Sequence, residues 1–223
     1  MKTKFISLSI ALLMGMSACR PTTEPEPENV QAVDLGLPSG IKWALCNVGA
    51  EKPEDSGNYY AWGEVLPKED YSWDTYNYAN GTYWEDLKLT KYCNNAGYGD
   101  NGFTDNKTVL EPEDDAAHVN WGGSWRMPTN TEWQELQDNC TWTWTTQNGI
   151  NGYRVASKTN SNSIFLPAAG YRRDTGLGRV GYGGDYWSSS LNDSSAWSLC
   201  FDSDGVDRAY RNRYRGQLSL IHI

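Results

Sequence analysis

The sequence predicts a loop-rich α+β domain of short helices and antiparallel strands. Its 11 Trp, 14 Tyr and 22 Gly against four Phe describe turns pinned by rings rather than a helical bundle. One helix start is written out in full. Pro128 excludes an ordinary helix interior, Thr129 is a good N-cap, and Glu132 stands three residues on, where its carboxylate reaches back to the cap amide. Stretches such as Thr141-Trp-Thr-Trp-Thr145 alternate with period two, the mark of a strand with one buried face. At 223 residues the chain is long enough for one well-buried domain with an appendage.

Residues 1–18 read as a lipoprotein signal peptide. Lys2 and Lys4 precede an apolar run from Phe5 to Met16 that is too short for a comfortable membrane span. Ser17 and Ala18 then stand directly before Cys19, which resembles a lipobox in which Cys19 is acylated and becomes the new N-terminus; an ordinary cleaved signal is the plainer alternative. Residues 19–32 form a Pro/Glu-rich tether. Pro21, Pro25 and Pro27 alternate with Glu24, Glu26 and Glu28, a composition that stays extended and repels itself. The formal net charge is -9, and loss of Lys2 and Lys4 with the leader makes it more negative, so nucleic acid is not an expected partner. A mean hydropathy of -0.67 excludes a polytopic membrane protein, leaving the lipid anchor as the one expected membrane contact.

The domain is expected over residues 33–223. Residues 34–43 read as a hairpin turning at Pro38-Ser39-Gly40, and residues 42–48 as its second strand. Tyr59, Tyr60 and Trp62 are packing rings. Residues 66–102 have little period and read as an irregular insertion pinned by Trp73, Tyr76 and Trp84, with a sugar-stacking surface as the alternative. A short helix is expected at residues 114–119, after Pro112 and with acidic groups at its positive end. In the capped helix Trp133, Leu136 and Cys140 make one apolar stripe. Strands at residues 141–145 and 152–157 flank turn chemistry at 147–152, and residues 163–171 read as a buried strand.

Several of these stretches carry a resemblance. Trp121-Gly-Gly-Ser-Trp-Arg-Met-Pro-Thr129, Asn47-Val-Gly-Ala50, Gly57-Asn-Tyr-Tyr-Ala-Trp-Gly-Glu64, Leu166-Pro-Ala-Ala-Gly-Tyr171 and Tyr186-Trp-Ser-Ser-Ser190 resemble the signatures of the Fibrobacter succinogenes major paralogous domain family. That family is similar to the formylglycine-generating, sulfatase-modifying-factor-like branch of the C-type-lectin-like fold. The resemblance covers residues 33 to 216 and implies that fold. Members close on a strand similar to Gly-x-Ser-Val-Arg-Pro-Val, whereas this chain ends Gly216-Gln-Leu-Ser-Leu-Ile-His-Ile223, in which Leu218, Leu220, Ile221 and Ile223 read as a terminal strand. Formylglycine-generating relatives use a cysteine pair near the C-terminal end. Cys200 alone stands in the corresponding portion, so the resemblance implies the fold and not that activity, and no catalytic residue is expected.

Residues 170–216 hold seven of the ten Arg and six of the sixteen Asp, but none of the nine Lys, twelve Glu or four Met, and no Gln. Tyr, Ser, Gly, Asn and Asp around Trp187 and Trp197 resemble an antibody paratope in composition, where rigid rings and small polar groups give contact area at low entropic cost. The same bias resembles the variable region of lipoproteins rewritten by a diversity-generating retroelement, in which scrambled adenines of Asn codons yield Arg, Asp, Tyr, Ser, Gly, Ala or Cys but never Lys, Glu, Gln, Met or Trp. Along residues 197–202 the alternation turns Trp197, Leu199 and Phe201 inward and displays Ser198, Cys200 and Asp202. The expected ligand-binding residues are Arg172, Arg173, Asp174, Arg179, Asp185, Asn192, Asp193, Asp202, Asp204, Arg208, Tyr210, Arg211, Arg213 and Tyr214, with Arg and Tyr as anchors.

His118 and His222 are the only imidazoles, which leaves no His-rich zinc site and no HExxH pattern, so no metal ligand is named. Asp202-Ser-Asp-Gly-Val-Asp207 and Asp100-Asn-Gly-Phe-Thr-Asp105 place oxygens around a turn glycine without the EF-hand spacing; calcium is the one cofactor they suggest, and solvated turns are the plainer reading. With Cys19 lipidated, Cys46, Cys93, Cys140 and Cys200 allow two disulfides in three connectivities, or one bridge if Cys200 is displayed and free. The expectation is a lipoprotein anchored to an outer membrane and exposed at the cell surface, adhesion-like, binding a protein or glycan ligand. A glycan-active extracytoplasmic enzyme and a structural surface component are the alternatives.

Overall fold

The computed structural model describes residues 31–81, 86–220 and 222–223; the leader at 1–18, Cys19, the tether to residue 30, Trp84 and Ile221 lie outside the described residues. The first hairpin forms where Pro38-Ser39-Gly40 predicts it, β1 (Ala32–Asp34) pairing antiparallel with β2 (Lys42–Ala44). β3 (Tyr59–Tyr60), β4 (Ala79–Asn80) and β5 (Lys88–Leu89) are two-residue strands, followed by α1 (Ala116–Trp121) and α2 (Asn130–Asn139). A three-stranded antiparallel sheet follows, β6 (Cys140–Gln147), β7 (Ile150–Ser157) and β8 (Ser163–Pro167). The hairpin β9 (Tyr171–Arg173) and β10 (Gly176–Gly178) leads to β11 (Gly183–Asn192), β12 (Ser195–Asp202), β13 (Gly205–Arg211) and β14 (Gln217–Leu218). The result is a mainly β, loop-rich α+β fold with few short helices.

Local chemistry accounts for these elements. The Thr129 side chain accepts from Glu132 N while Glu132 Oε2 accepts from Thr129 N at 2.7 Å, closing the capping box that starts α2, a device worth about 1 kcal/mol. Asp115 caps α1 by accepting from Ala117 N and His118 N. Asn148 and Gly149 take positive φ of 48° and 85°, as a two-residue hairpin loop between β6 and β7 requires.

The larger sheet runs β13-β12-β11-β14-β3 and is antiparallel except where β14 lies parallel to β11. Residues on its two faces join two different cores. Tyr186, Leu199 and Phe201 pack with Trp133 and Leu136 of α2 and with Tyr153, Val155 and Leu166 of the smaller sheet. On the reverse face Trp187, Leu191 and Ala196 pack with Tyr60, Trp62, Tyr92, Trp125 and Met127. β11, covered on both sides, is buried along most of its length, which is why Gly, Ser and two rings make up most of it instead of alternating polar residues.

The insertion at residues 66–102 is held by hydroxyls as much as by rings. Tyr71 donates to Tyr59 O at 2.6 Å and Tyr76 to Trp62 O at 2.8 Å, while Trp73 packs edge-on against Tyr214 with centroids 4.9 Å apart. Tyr71, Tyr76 and Tyr92 are buried, so among the described rings these are packing anchors and not a sugar-stacking surface. The C-terminal segment also enters the core. Lys42 and Ile223 exchange both backbone hydrogen bonds at 2.9 Å, and His222 stands edge-on to Trp43 with Nε2 2.8 Å from Glu132 Oε2.

Candidate ligand-binding site

On β12 the expected division into a buried and a displayed face is only half right. Register pairs Trp197 with Tyr210, Leu199 with Arg208 and Phe201 with Val206 on one face, and Ala196 with Arg211, Ser198 with Ala209 and Cys200 with Asp207 on the other. Leu199 and Phe201 are buried as expected, but Trp197 lies past the cover of the core and is half-exposed against Tyr210. Ser198 and Cys200, expected on display, are buried as well. Ser198 donates to Gln217 Oε1 at 2.5 Å, so β14 and the second core cover that end of the face.

Beyond that cover the face opens into a groove of about 370 Å³ lined by Arg179, Cys200, Asp202, Gly205, Asp207, Ala209 and Arg211, among others. Behind it lies Asp185, directly across from Cys200 on β11 and 1 % exposed. Its carboxylate faces both arginines of the lining, with Arg211 Nε 3.5 Å from Oδ1 and Arg179 Nη1 3.8 Å from Oδ2. Cys200 Sγ donates to Oδ1 at 3.0 Å, and among the described residues Oδ2 has no hydrogen-bond partner. Burial and the Asp185 charge together push the Cys200 thiol up to about 12, so it stays protonated and acts as a donor rather than a nucleophile.

Gly183 leaves room for the Arg179 guanidinium, and Gly184 leaves room for the Phe201 ring. A Cβ on Gly183 would stand 2.4 Å from Phe201 O and 2.6 Å from Arg179 Nη2, and a Cβ on Gly184 would meet the Phe201 ring at 2.4 Å. Arg179 Nη2 donates to Asp202 Oδ2 at 3.1 Å, and Arg211 Nη1 to Tyr210 O at 3.1 Å. Each guanidinium has five N–H donors, so both keep donors to spare on either wall.

The fourteen expected ligand residues do not form one surface. Arg179, Asp202 and Arg211 line the groove, and Asp185 backs it. Arg208 and Tyr210 alternate to the opposite face, where Arg208 donates to Asn130 O at 3.4 Å and to the Gln134 side chain on α2. Arg172, Arg173 and Asp174 lie on and beside β9; Arg172 stands over the Tyr59 ring at 5.6 Å. Asn192 and Asp193 sit at the β11–β12 turn, away from the groove end of the pair, and Asp204 is exposed in the β12–β13 turn.

Three members are corrected. Asp185 is too buried to be displayed and acts on the groove from behind. Arg213 is fully buried: Nη2 donates to Asp193 O at 2.7 Å, Nη1 to Lys91 O at 3.3 Å, and the guanidinium stands 5.1 Å over Trp62. Tyr214 is buried against Trp73. Both tie the insertion to the sheet. Asp207 lines the groove although the sequence did not mark it as a ligand residue; its signal was the pairing with Cys200 across β12, which needs the register.

The cysteines, one of the two turn loops and the histidines are placed as follows. Cys46, Cys93, Cys140 and Cys200 are all free thiols, so neither the two-bridge nor the one-bridge arrangement is present. Asp105, in one proposed calcium loop, turns both oxygens to the amides of Tyr92 and Cys93 at 2.7 and 2.8 Å. Glu111, Glu113 and Asp114 bring carboxylate oxygens within 4.8 Å of one another, but Asp114 already accepts from Tyr78, Tyr92 and Lys91. His118 lies in α1 with Nδ1 3.3 Å from Trp125 O, and His222 is buried beside Glu132. No family model, curated protein or solved structure matches the chain.

Proposed function

We propose that this chain is a ligand-binding domain of C-type-lectin-like type, carried at the cell surface on the lipidated Cys19 and the Pro/Glu tether, and that it takes a protein or glycan ligand in the groove between Arg179 and Arg211. The observation that carries the reading is Asp185. A buried carboxylate with one unpaired oxygen is costly to fold around. Here it faces two half-buried arginines at 3.5 and 3.8 Å without forming a direct hydrogen bond to either, which holds their charge in place and leaves their donors for a ligand. The Arg, Asp and Tyr bias of residues 170–216 supports retroelement diversification only at exposed positions such as Arg173, Asp193, Asp204 and Tyr210. Calcium and catalytic groups have no part in this reading.

The test is an array of glycans and of surface proteins probed with the wild type and with Arg179→Met and Arg211→Met. Binding that both substitutions weaken places the ligand in the groove. Binding indifferent to both rejects the site, and hydrolysis of an arrayed glycan would replace binding by catalysis.

A further inference from the structure

Resting on the groove reading above, we infer that the groove takes a neutral sugar residue through adjacent hydroxyl groups, without a metal ion. Two guanidinium groups, Arg179 and Arg211, face three carboxylates, Asp185, Asp202 and Asp207. That balance leaves one negative charge in excess, so a free anion gains little from the arginines. A cation, in turn, meets a guanidinium on either wall. The matching ligand is uncharged and both accepts and donates at neighbouring atoms.

Hydroxyl pairs on a sugar ring have that chemistry. One oxygen accepts from a spare arginine N–H while its proton goes to Asp202 or Asp207, and the adjacent hydroxyl repeats the pattern. Asp202 is half-exposed with one oxygen on Arg179, and Asp207 is exposed. Cys200, Ala209 and Gly205, three small residues, complete the lining and leave room for a ring to approach the sheet. A volume of about 370 Å³ lies at the small end of the roughly 300–1,000 Å³ of ligand pockets, room for one or two sugar rings and not for a long polymer. Asp185 completes the arrangement. Its unpaired Oδ2 lies on the Arg179 side, where a small shift of that guanidinium on binding is met by a waiting acceptor.

The experiment is a titration of the full chain, in buffer with EDTA, with methyl glycosides of gluco, galacto, manno and fuco configuration. Glucuronate and glucosamine serve as charged counterparts, and binding is read from amide chemical shifts. At least one neutral glycoside should shift the amides of Arg179 and of residues 205–211, and Arg211→Met should weaken it about tenfold, the loss of one charge-assisted hydrogen bond. Because that substitution leaves Asp185 short of a cation, Asp185→Asn/Arg211→Met is the second variant and should lose the same affinity with unchanged spectral dispersion. Preference for a charged sugar, shifts outside the groove, or no neutral glycoside binding at all overturns the inference. If sugars fail while an array-selected protein ligand still depends on Arg211, the sugar class alone falls; if no ligand depends on Arg211, the groove itself falls with it.

Discussion

Replacing Arg213 by Met separates a ligand anchor from a structural one. In the fold Arg213 is fully buried, donates to the carbonyls of Lys91 and Asp193, stands over Trp62, and has no carboxylate partner among the described residues. Met keeps much of the side-chain volume and removes the donors. The two part-buried carbonyls left without that donor cost about 1–3 kcal/mol each, and the lost cation–π contact about 2. Against this, removing a buried cation returns several kcal/mol of desolvation. Burial already pulls the Arg213 pKa below the ordinary arginine value, the sign of that desolvation cost. The balance predicts a net loss of roughly 2–3 kcal/mol, or about 4–12 °C in Tm for a domain of this size. Urea unfolding should show a lower midpoint with an unchanged slope. Arg211→Met in the groove should shift stability far less. A stability change below about 0.5 kcal/mol for Arg213→Met, together with lost ligand affinity, would refute the structural role and restore Arg213 to the binding surface.

Glu132 predicts a pH dependence. Burial alone would raise its pKa, but hydrogen bonds from His222 and Arg126 outweigh burial and hold the carboxyl well below the usual carboxylate range. A carboxyl whose folded pKa is depressed contributes stability above its unfolded value, about 4.3, and loses it as pH falls toward the folded value. Acid titration of Tm should therefore show a decline below about pH 4 that is shallower in Glu132→Gln. Thiol labelling provides another check: Cys140, pushed up to about 11 by burial, and Cys200, pushed up to about 12, should resist iodoacetamide at pH 7.5 in the native protein and react only in denaturant. Sequencing the gene's 3′ end across one clonal population should confine any adenine-derived variation to exposed positions such as Arg173, Asp193, Asp204 and Tyr210. Variation at Asp185, Arg213 or Tyr214 would contradict their packing roles.

The local devices were legible from sequence because each is complete within a few residues. Thr129 and Glu132 specify the start of α2 and Pro38-Ser39-Gly40 the first hairpin, while the turn read over residues 147–152 narrows to Asn148-Gly149, since β7 already begins at Ile150. What the sequence hid depends on partners far along the chain. An Arg in a stretch rich in Arg, Asp and Tyr reads as surface, but Arg213 is buried because the carbonyl of Lys91, 122 residues away, is laid over it by the insertion. Ser198 and Cys200 look displayed by alternation, yet β14 covers the first and Asp185 meets the second from across the strand pair. The groove arises at the point where that cover ends. No periodicity in β12 marks the place, since the cover comes from residues elsewhere in the chain, among them Trp62, Tyr92 and Trp125.

Whether the ligand sits between Arg179 and Arg211 is read from the dissociation constant of an array-selected ligand for two double variants, Arg179→Met/Arg211→Met in the groove and Arg173→Met/Tyr210→Ala outside it. The groove pair should lose tenfold or more, about 1.4 kcal/mol, and the outer pair should be unchanged. The reverse pattern would move the binding surface out of the groove and reject the site.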